Sequence, residues 1–338
     1  MPRVLSIQSS VVHGVVGLGA ATLPLQLHGW TVCPLATVAF SNHSGYPHRG
    51  GTVTEPAALG SLLAGLAANG VGLADPGAYD AVLTGYVGRA GTVAALADAV
   101  LAARNGRNGG WRLVVDPVLG DGGSLYVPPD VVPAYLPLVA AADVLLPNST
   151  EAAALLGAAA ADGAPHPPIT TEAGALAALA ALHALGPPVV IITSAAVAEW
   201  PGQLVLYASV AGQGRPLRLR VPARPRAFTG TGDLLAALVT ARLGAPTGMD
   251  AGGRPPPPTP AALAAALEGA VAGVQAVLVR TADAADAAGP ALKAAGVPDG
   301  PAGQRHPAAL AAAELRLVEA AGDLVAPPPG PAVEWIPM

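Results

Sequence analysis

Short apolar runs recur along the chain and alternate with segments of helical periodicity. The runs are Val4–Ile7, Thr31–Ala36, Ala81–Leu83, Arg112–Val115, Val144–Leu146 and Val189–Ile192. Such runs are typical of strands that are buried on both faces. Helices are predicted at Gly17–Gly29, Thr92–Ala103, Leu234–Leu243 and Ala261–Val279. This alternation predicts an α/β fold in three layers, with a mostly parallel central sheet and helices on both of its faces.

Three segments rich in Gly, Ala and Pro interrupt this pattern. They lie at 157–168, 245–260 and 282–307. We interpret them as insertions in a single domain, 1–326, because surface loops tolerate insertion. The run Arg254–Pro260 is expected to be an exposed polyproline-type loop. The Pro-rich tail, 327–338, is predicted to be loosely held.

Charge and hydropathy narrow the possible partners. The net charge is −5 and Lys293 is the only lysine, which disfavours nucleic acid and anionic membranes. Mean hydropathy is positive, but polar residues interrupt the uncharged stretch Val4–His48 too often for a membrane span. With Cys33 as the single cysteine, an internal disulfide is excluded. We expect a soluble, cytoplasmic protein.

The segment Phe228–Asp233 combines a Gly-Thr-Gly turn with an apolar helix that follows at once. Glycines at a helix start let backbone N–H groups approach an anion, and the helix dipole favours negative charge there. Asp233 would repel a bound phosphate but is well placed to accept a proton from an alcohol that attacks it. The alternative is an ordinary helix cap, with the glycines serving only the turn.

Three further polar clusters follow apolar strands. Asp116 and Asp121 place two carboxylates on one loop, as a cation site requires, although a simple turn is the alternative. Asn148 and Glu151 stand at a helix start and also fit a capping box. The pair 193–194 supplies hydroxyls for phosphate, or merely ends a strand. Together with Asp233 these clusters indicate a phosphotransferase, and no Walker A or protein-kinase lysine motif is present.

Two other groups of side chains have plainer interpretations. The arginines Arg215, Arg218, Arg220, Arg224 and Arg226 alternate like one exposed strand face and are expected to be solvated, with phosphate or adenine contact by Arg224 or Arg226 as the alternative. His13 and His43 are expected to be packed and hydrogen-bonded rather than catalytic.

The order of these motifs resembles the pyridoxal kinases of the ribokinase-like superfamily, and the eukaryotic type more than the bacterial one. The matching segments are Val4–Ser9, Phe40–Tyr46, Leu83–Tyr86, Asp116–Asp121, Ser124–Pro128, Pro147–Glu151, Ile192–Ser194, Gly230–Asp233 and Glu314–Val318. The IQS and FSNHSGY pair is specific to pyridoxal kinases, whereas GTGD marks the superfamily at large. The resemblance implies ATP-dependent phosphorylation of the 5′-hydroxymethyl group of pyridoxal, and a homodimer.

The same resemblance assigns roles to individual residues. It implies that Asp233 is the catalytic base and that Gly230, Thr231 and Gly232 form the anion hole. Contacts to the B6 ring are implied for Ser9, Val16, Phe40, His43, Ser44, Tyr86 and Asp233. Contacts to ATP are implied for Asp121, Tyr126, Asn148, Thr193, Ser194, Phe228 and Thr231. Asp116 and Glu151 resemble the carboxylates that bind Mg²⁺ and a monovalent cation, K⁺ or Na⁺.

Departures from the family pattern leave alternatives open. Leu146 stands where the eukaryotic enzymes usually carry a Thr that helps to bind the monovalent cation, which puts potassium activation in question. The flap between Asp121 and Tyr126 is shorter than usual. The alternatives are a hydroxymethylpyrimidine-type kinase, which the ring-pocket motifs oppose, and a non-catalytic B6-binding protein, which the intact Asp233 and glycines oppose.

Overall fold

The computed structural model describes residues 1–105, 110–250, 253–298 and 300–337. Its strands are β1 (Arg3–His13), β2 (Thr31–Asn42), β3 (Gly51–Val53), β4 (Ala81–Thr84), β5 (Arg112–Val115), β6 (Gly120–Asp121), β7 (Ser124–Leu125), β8 (Val144–Leu145), β9 (Val189–Ala195), β10 (Gln203–Val210), β11 (Gln213–Pro222) and β12 (Glu334–Trp335). Its helices are α1 (Leu18–Leu27), α2 (Pro56–Ala68), α3 (Ala90–Asn105), α4 (Val131–Ala134), α5 (Leu136–Ala141), α6 (Ser149–Ala159), α7 (Glu172–Ala184), α8 (Thr231–Leu243), α9 (Pro260–Ala294), α10 (Pro301–Gln304), α11 (Pro307–Ala312) and α12 (Ala321–Val325).

One large sheet organises the fold. Its strand order is β12-β11-β10-β9-β8-β5-β4-β1-β2-β3. The central strands from β9 to β2 pair in parallel, whereas β3 and the strands from β10 to β12 pair antiparallel at the two edges. The predicted mostly parallel sheet is therefore confirmed.

Alternate residues of the central strands face two separate apolar layers. On β5, Leu113 and Val115 pack with helices α3 to α7, whereas Val114 packs with α1, α8 and α9. Because successive side chains of a strand point to opposite faces, each run must be apolar throughout. The predicted three-layer arrangement is confirmed by these two cores.

Two strands are longer than their apolar runs predicted. β1 continues to His13 and β2 to Asn42, and they remain paired beyond the point where β1 leaves β4. Their register shifts between Gln8 and Ser9. With β3 they form an arm beside the sheet edge. The arm carries mixed polar and apolar residues because it has no helix layer on both sides, and so the apolar run alone did not reveal it.

The helix bounds revise two of the proposed insertions. Helix α9 continues to Ala294, so the segment 282–307 begins as regular helix rather than as a loop. Helix α6 likewise includes the first residues of 157–168. The Pro-rich loop in 245–260 is tied down, because the Arg254 guanidinium donates to Asp143 at 3.1 Å. Residues 251, 252, 299 and 338, which fall in the predicted insertions and tail, lie outside the described residues.

Helix α9 has the length and hydropathy of a membrane-spanning helix. It is packed within the fold instead, since 67% of its most apolar window is buried. Leu263, Leu267 and Val277 are fully enclosed in the layer that α9 forms with α8. We therefore interpret α9 as a core helix of the second layer.

The prediction of a loosely held tail is wrong. Strand β12 pairs with β11, Ile336 N–H donates to Pro216 O at 2.9 Å, and Ile336 is buried in the first core. Strand β12 is only two residues long, which is too short to show an alternation of apolar and polar residues in the sequence.

The prediction of solvated arginines is also wrong for Arg218 and Arg220. Both pair with Glu334 of the tail and lie over the ring of Trp200, at 4.7 and 4.0 Å from its centroid. Arg226 pairs with Asp286 at 2.9 Å. The tail thus covers this face of β11, and Arg218 and Arg220 bind β12 through Glu334.

Candidate active site

The polar clusters come together along one edge of the sheet. Strands β1, β4, β5, β8 and β9 run in parallel, so their carboxyl ends meet at the same edge. The segments that leave this edge are the turn 14–17 after β1, the loop from Asp116 after β5, and the start of α6 after β8. The start of α8 reaches the same place, because its Asp233 contacts the turn after β1.

The first turn of α8 is shaped by its glycines. Gly230 is the N-cap residue and has φ of 89°, a left-handed conformation that glycine adopts without strain. A Cβ at Gly230 would lie 2.1 Å from Val15 O, so no larger residue fits there. Thr231 and Gly232 follow as the first helical residues, with backbone N–H groups that have no intrahelical partner. This geometry leaves the first turn open to an anion, as the predicted anion hole requires.

Asp233 lies in this first turn and faces the segment after β1. Its Oδ2 accepts a hydrogen bond from Gly17 N–H at 2.8 Å. Burial raises the pKa of the Asp233 carboxyl to about 6, although the Gly17 hydrogen bond opposes this rise. A carboxylate with such a pKa is ionised at neutral pH and able to accept a proton.

Asp116 brings a second carboxylate to the same place. It is 6% exposed, and its Oδ2 lies 3.9 Å from the position of a Cβ at Gly232. Burial raises its pKa well above the ordinary value, and the charges of Glu151 and Asp233 raise it further. Among the described residues no donor reaches this carboxylate. A cation would compensate the three neighbouring negative charges, so the residues fit the Mg²⁺ that the sequence predicted.

Glu151 is held differently. It is 3% exposed, and its carboxylate accepts from the N–H groups of Leu119 at 2.9 Å and Asn148 at 2.8 Å. Burial raises its pKa to about 8, while these hydrogen bonds act in the opposite direction. Because its oxygens already accept backbone donors, Glu151 fits a cation through water better than by direct contact. The capping box with Asn148 is present as well.

A short hairpin, β6–β7, contacts Glu151 and the start of α6. Asn148 Nδ2 donates to Gly120 O at 2.7 Å, and Gly123 N–H donates to Thr150 Oγ1 at 2.9 Å, so α6 anchors the hairpin. Asp121 is exposed on it. Tyr126 follows the hairpin, and the pKa of its phenol is raised by partial burial and then by nearby carboxylates, with Glu151 first. The hairpin occupies the segment in which the sequence predicted a short flap.

The remaining nucleotide candidates lie on either side of this hairpin. Thr193 and Ser194 are inside β9 rather than at its end, at a point where its register against β10 shifts. A bulge of this kind changes the direction of side chains. Thr193 N–H donates to Pro147 O at 2.9 Å, which places the pair beside the start of α6. Phe228 packs against the second core just before the first turn of α8.

The ring-pocket candidates line the arm and the end of β4. Ser9, Val16, Phe40 and His43 are buried, Tyr86 is half-buried and Ser44 is exposed. Ser9 lies against Gly17, where a Cβ would be 2.2 Å from Ser9 Oγ. Burial raises the pKa of the Tyr86 phenol. The structure therefore places Ser9 directly against Gly17, the residue whose N–H donates to Asp233.

Sequence reasoning missed three residues of the site. Gly17 holds Asp233, and Arg49 lies over the Phe40 ring at 4.3 Å from its centroid. Glu314 contacts Val15, His43 and Tyr46. Glu314 was visible only as part of a motif shared with pyridoxal kinases, because nothing in its local sequence connects it with residues near the chain start. Its contact with His43 agrees with the expected packed histidine.

The Leu146 side chain faces away from the candidate cation site. Its side chain is 2% exposed and belongs to the apolar layer with α8 and α9. It offers no oxygen to a cation where the family's Thr would.

A sheet of this order, with a glycine turn and an aspartate at the start of α8, defines a small-molecule kinase of the ribokinase-like fold. A model of the phosphomethylpyrimidine kinase family matches residues 73–251. Comparison with individual proteins is more specific, and by it the chain belongs to the pyridoxal kinase family. It is 40% identical over 255 residues to the pyridoxal kinase of Sus scrofa, covering 71% of this chain and 74% of that protein.

Further relatives support the same assignment. The chain is 38% identical over 253 residues to the pyridoxal kinase of Homo sapiens, which covers 71% of this chain and 76% of that protein. The solved structure of pyridoxal kinase from Leishmania donovani in complex with ADP and pyridoxine superposes with a TM-score of 0.79, 31% identity and 99% coverage of both chains. The complex of the same enzyme with ADP and pyridoxamine gives a TM-score of 0.78 and 31% identity over 100% of both chains.

Proposed function

We propose that this protein transfers the γ-phosphate of ATP to the 5′-hydroxymethyl group of pyridoxal, giving pyridoxal 5′-phosphate and ADP. Pyridoxine and pyridoxamine are further substrates on the same grounds. One observation carries the proposal. The first turn of α8 contains both the Asp233 carboxylate and the backbone N–H groups of Gly230–Gly232. Family membership and the ADP and B6 ligands of the L. donovani enzyme support the choice of substrates.

The proposed transfer is in line. The substrate hydroxyl oxygen forms a bond to the γ-phosphorus while the bond to the β-phosphate oxygen breaks. Asp233 accepts the hydroxyl proton, and ADP leaves with the electron pair of the broken bond. The N–H groups of the α8 first turn stabilise charge on the transferred phosphoryl group, since positioning and electrostatics dominate such reactions. The hairpin β6–β7 restricts water above the reacting atoms.

Asp116 is proposed to bind Mg²⁺ directly, and Glu151 to bind it through water. Mg²⁺ keeps several waters and is completed by substrate phosphates, so few protein ligands are needed. Consistent with this, no group of three or more His, Cys, Asp or Glu side chains with metal-binding geometry is found among the described residues. When bound, the ion neutralises charge on the phosphates. Potassium activation is not expected, because Leu146 lies in the apolar core.

Assignments of individual contacts are part of the proposal. Asp121, Tyr126, Asn148, Thr193, Ser194, Phe228 and Thr231 are proposed to contact ATP, and Ser9, Val16, Phe40, His43, Ser44 and Tyr86 to contact the B6 ring. A homodimer in the cytoplasm is proposed from the family resemblance alone.

The first experiment measures pyridoxal 5′-phosphate formed from pyridoxal and Mg-ATP by the purified protein and its Asp233→Asn variant. We expect turnover by the wild type and a loss of about 100-fold or more in kcat for the variant, which is typical when a general base is removed. Equal turnover in both would keep the kinase and remove Asp233 as its base. If neither formed product, the non-catalytic B6-binding alternative would replace the kinase.

A second candidate function, phosphorylation of a hydroxymethylpyrimidine, is favoured by one observation. The matching family model describes phosphomethylpyrimidine kinases. The same assay with 4-amino-5-hydroxymethyl-2-methylpyrimidine in place of pyridoxal distinguishes the two. A higher kcat/KM for the pyrimidine would assign the chain to that reaction.

A further inference from the structure

Glu314 forms a three-way junction between distant parts of the chain. Its Oε2 accepts from Val15 N–H at 2.8 Å, and its Oε1 accepts from Tyr46 OH at 3.0 Å and lies 2.9 Å from His43 Nε2. The Glu314 side chain is 12% exposed and that of His43 is 6% exposed. A partly desolvated carboxylate with three donors is held in one geometry, because leaving any of them unpaired costs free energy.

The hydrogen bonds indicate the tautomer of His43 and the ionisation of Glu314. Gly45 N–H donates to His43 Nδ1 at 3.1 Å, so Nδ1 acts as an acceptor and the ring proton lies on Nε2. Nε2–H therefore donates to Glu314, and the neutral ring satisfies both contacts. Burial acts to raise the pKa of Glu314, but the hydrogen bonds from His43 and Val15 outweigh it and lower the pKa. Glu314 is thus an anion that accepts from three donors.

The junction joins the two walls of the proposed site. Val15 belongs to the turn whose Gly17 N–H holds Asp233, and its carbonyl packs against Gly230 of the anion hole. His43 and Tyr46 belong to the loop after β2, next to Phe40 of the ring pocket. Gly14 lies between them with φ of 111°, a conformation that favours glycine, and a Cβ there would lie 3.0 Å from both Glu314 Oε1 and His43 Cδ2.

We propose that Glu314 is a positioning residue that sets the distance between the B6-ring loop, 42–48, and the Asp233 turn, 14–17, without touching the substrate. This role assumes the B6 kinase activity proposed above. The nucleotide site lies on the other side of Asp233, on α6 and the hairpin β6–β7. Loss of the junction therefore weakens binding of the B6 substrate and leaves ATP binding unchanged.

The test compares Glu314→Gln with the wild type. Glutamine has nearly the same shape as glutamate but only one acceptor oxygen. Its NH₂ group would therefore face one of the donors that the carboxylate accepted from in the wild type. We expect the KM for pyridoxal to rise about tenfold, as loss of a charge-assisted hydrogen bond predicts, with the KM for ATP within about twofold. Glu319→Gln is the matched control. Glu319 is 56% exposed in the same segment and, within the described part of the chain, pairs with Arg316 at 3.6 Å, so we expect no change.

Tyr46→Phe provides a milder variant in case Glu314→Gln does not fold. It removes only the hydroxyl that donates to Glu314, and we expect about a threefold rise in the KM for pyridoxal. Hydrogen–deuterium exchange is measured in parallel. Faster exchange confined to 14–17 and 42–48 is the result expected if the junction holds these two segments.

The outcomes separate this inference from the proposed function. A wild type that turns over pyridoxal, with both variants unchanged in KM for pyridoxal, would overturn the positioning role alone. A rise in both KM values with faster exchange throughout the chain would assign Glu314 a purely structural role. If the wild type is inactive, the proposed function fails. The positioning role of Glu314 is then tested by the pyridoxal dissociation constant, measured by calorimetry. Equal affinities in wild type and Glu314→Gln would overturn the inference.

Discussion

At the scale of single residues, burial of the Asp233 carboxylate destabilises the folded protein when the group is ionised. Its carboxyl is buried enough to raise its pKa to about 6, and only Gly17 N–H compensates directly. Asp116 adds a further negative charge close by. The fold therefore holds carboxylates in positions that are unfavourable when they are ionised, as active sites often do.

This cost predicts how stability depends on pH. The folded-state pKa of Asp233 lies above the ordinary value of about 4, so the native state binds the proton more tightly and stability falls as the pH rises from about 4 to about 6. Above pH 6 the whole penalty is present. We expect Asp233→Asn to have a higher Tm than the wild type at pH 8, by calorimetry, and the difference to shrink toward pH 4.

A control defines what would contradict this. Asp130→Asn changes an exposed aspartate for which no side-chain cap hydrogen bond is made, and we expect its Tm to follow the wild type at every pH. A Tm for Asp233→Asn below that of the wild type at pH 8 would mean that the Gly17 contact stabilises the fold more than burial of the charge destabilises it.

Individual residues also mark the limit of what the sequence revealed. Asp233, Asp116 and Glu151 could be found because each follows an element whose pattern is readable. Glu314 acts through partners 268 to 299 positions away, and no local pattern encodes such a contact. Arg218 and Arg220 were misjudged for the same reason, since their partner Glu334 lies in the tail.

At the scale of elements, the start of α6 serves two purposes. Asn148 caps the helix by accepting from Thr150 and Glu151 N–H, and its Nδ2 also holds the hairpin β6–β7 through Gly120 O. Helix capping and the position of the flap are therefore linked through one side chain. Glu151 completes the link by accepting from Leu119 and Gly120.

Asn148→Ala tests this link. Loss of an N-cap costs about 1 kcal/mol. Loss of the hairpin anchor, together with loss of the ATP contact proposed for Asn148, should also raise the KM for ATP severalfold. Thr259→Ala is the matched control, because Thr259 caps α9 by accepting from Ala262 N–H at 3.2 Å. We expect both variants to lose similar stability in urea unfolding and only Asn148→Ala to change the KM for ATP. Equal KM values in the two variants would exclude the link.

Element boundaries show what local pattern predicts and what it does not. The two-faced burial of β4, β5, β8 and β9 requires continuous apolar runs, and these were readable. The arm of β1 and β2 has one exposed side, so its mixed sequence resembles a loop. Helix α9 extends through an Ala-rich segment because alanine is a good helix former, although low complexity suggested an insertion.

At the scale of the whole molecule, the C-terminal residues complete one edge of the large sheet. β12 pairs with β11 and Ile336 enters the first core. Glu334 at the same time bridges Arg218 and Arg220 beside Trp200. The end of the tail is therefore an integral strand, which pairs with β11 at Leu217 and Arg218.

Ile336→Ala should destabilise the whole domain. Ile336 is 4% exposed, and truncation of a buried Ile to Ala costs about 2–5 kcal/mol. Val318→Ala is the control, since Val318 is 76% exposed and should change little. Urea unfolding measures both. Equal unfolding midpoints for the two variants would mean that the tail is dispensable for stability.

The hydrogen bond between Val15 N–H and Glu314 has a consequence for folding during translation. The two residues are 299 positions apart in a chain of 338. Glu314 is therefore synthesised only as the 299th residue after Val15. During synthesis the first two strands can pair with each other, but the loop that follows β2 has no carboxylate to close on. A chain that ends between residues 233 and 314 would therefore carry Asp233 and yet lack the carboxylate that links Val15 to His43 and Tyr46.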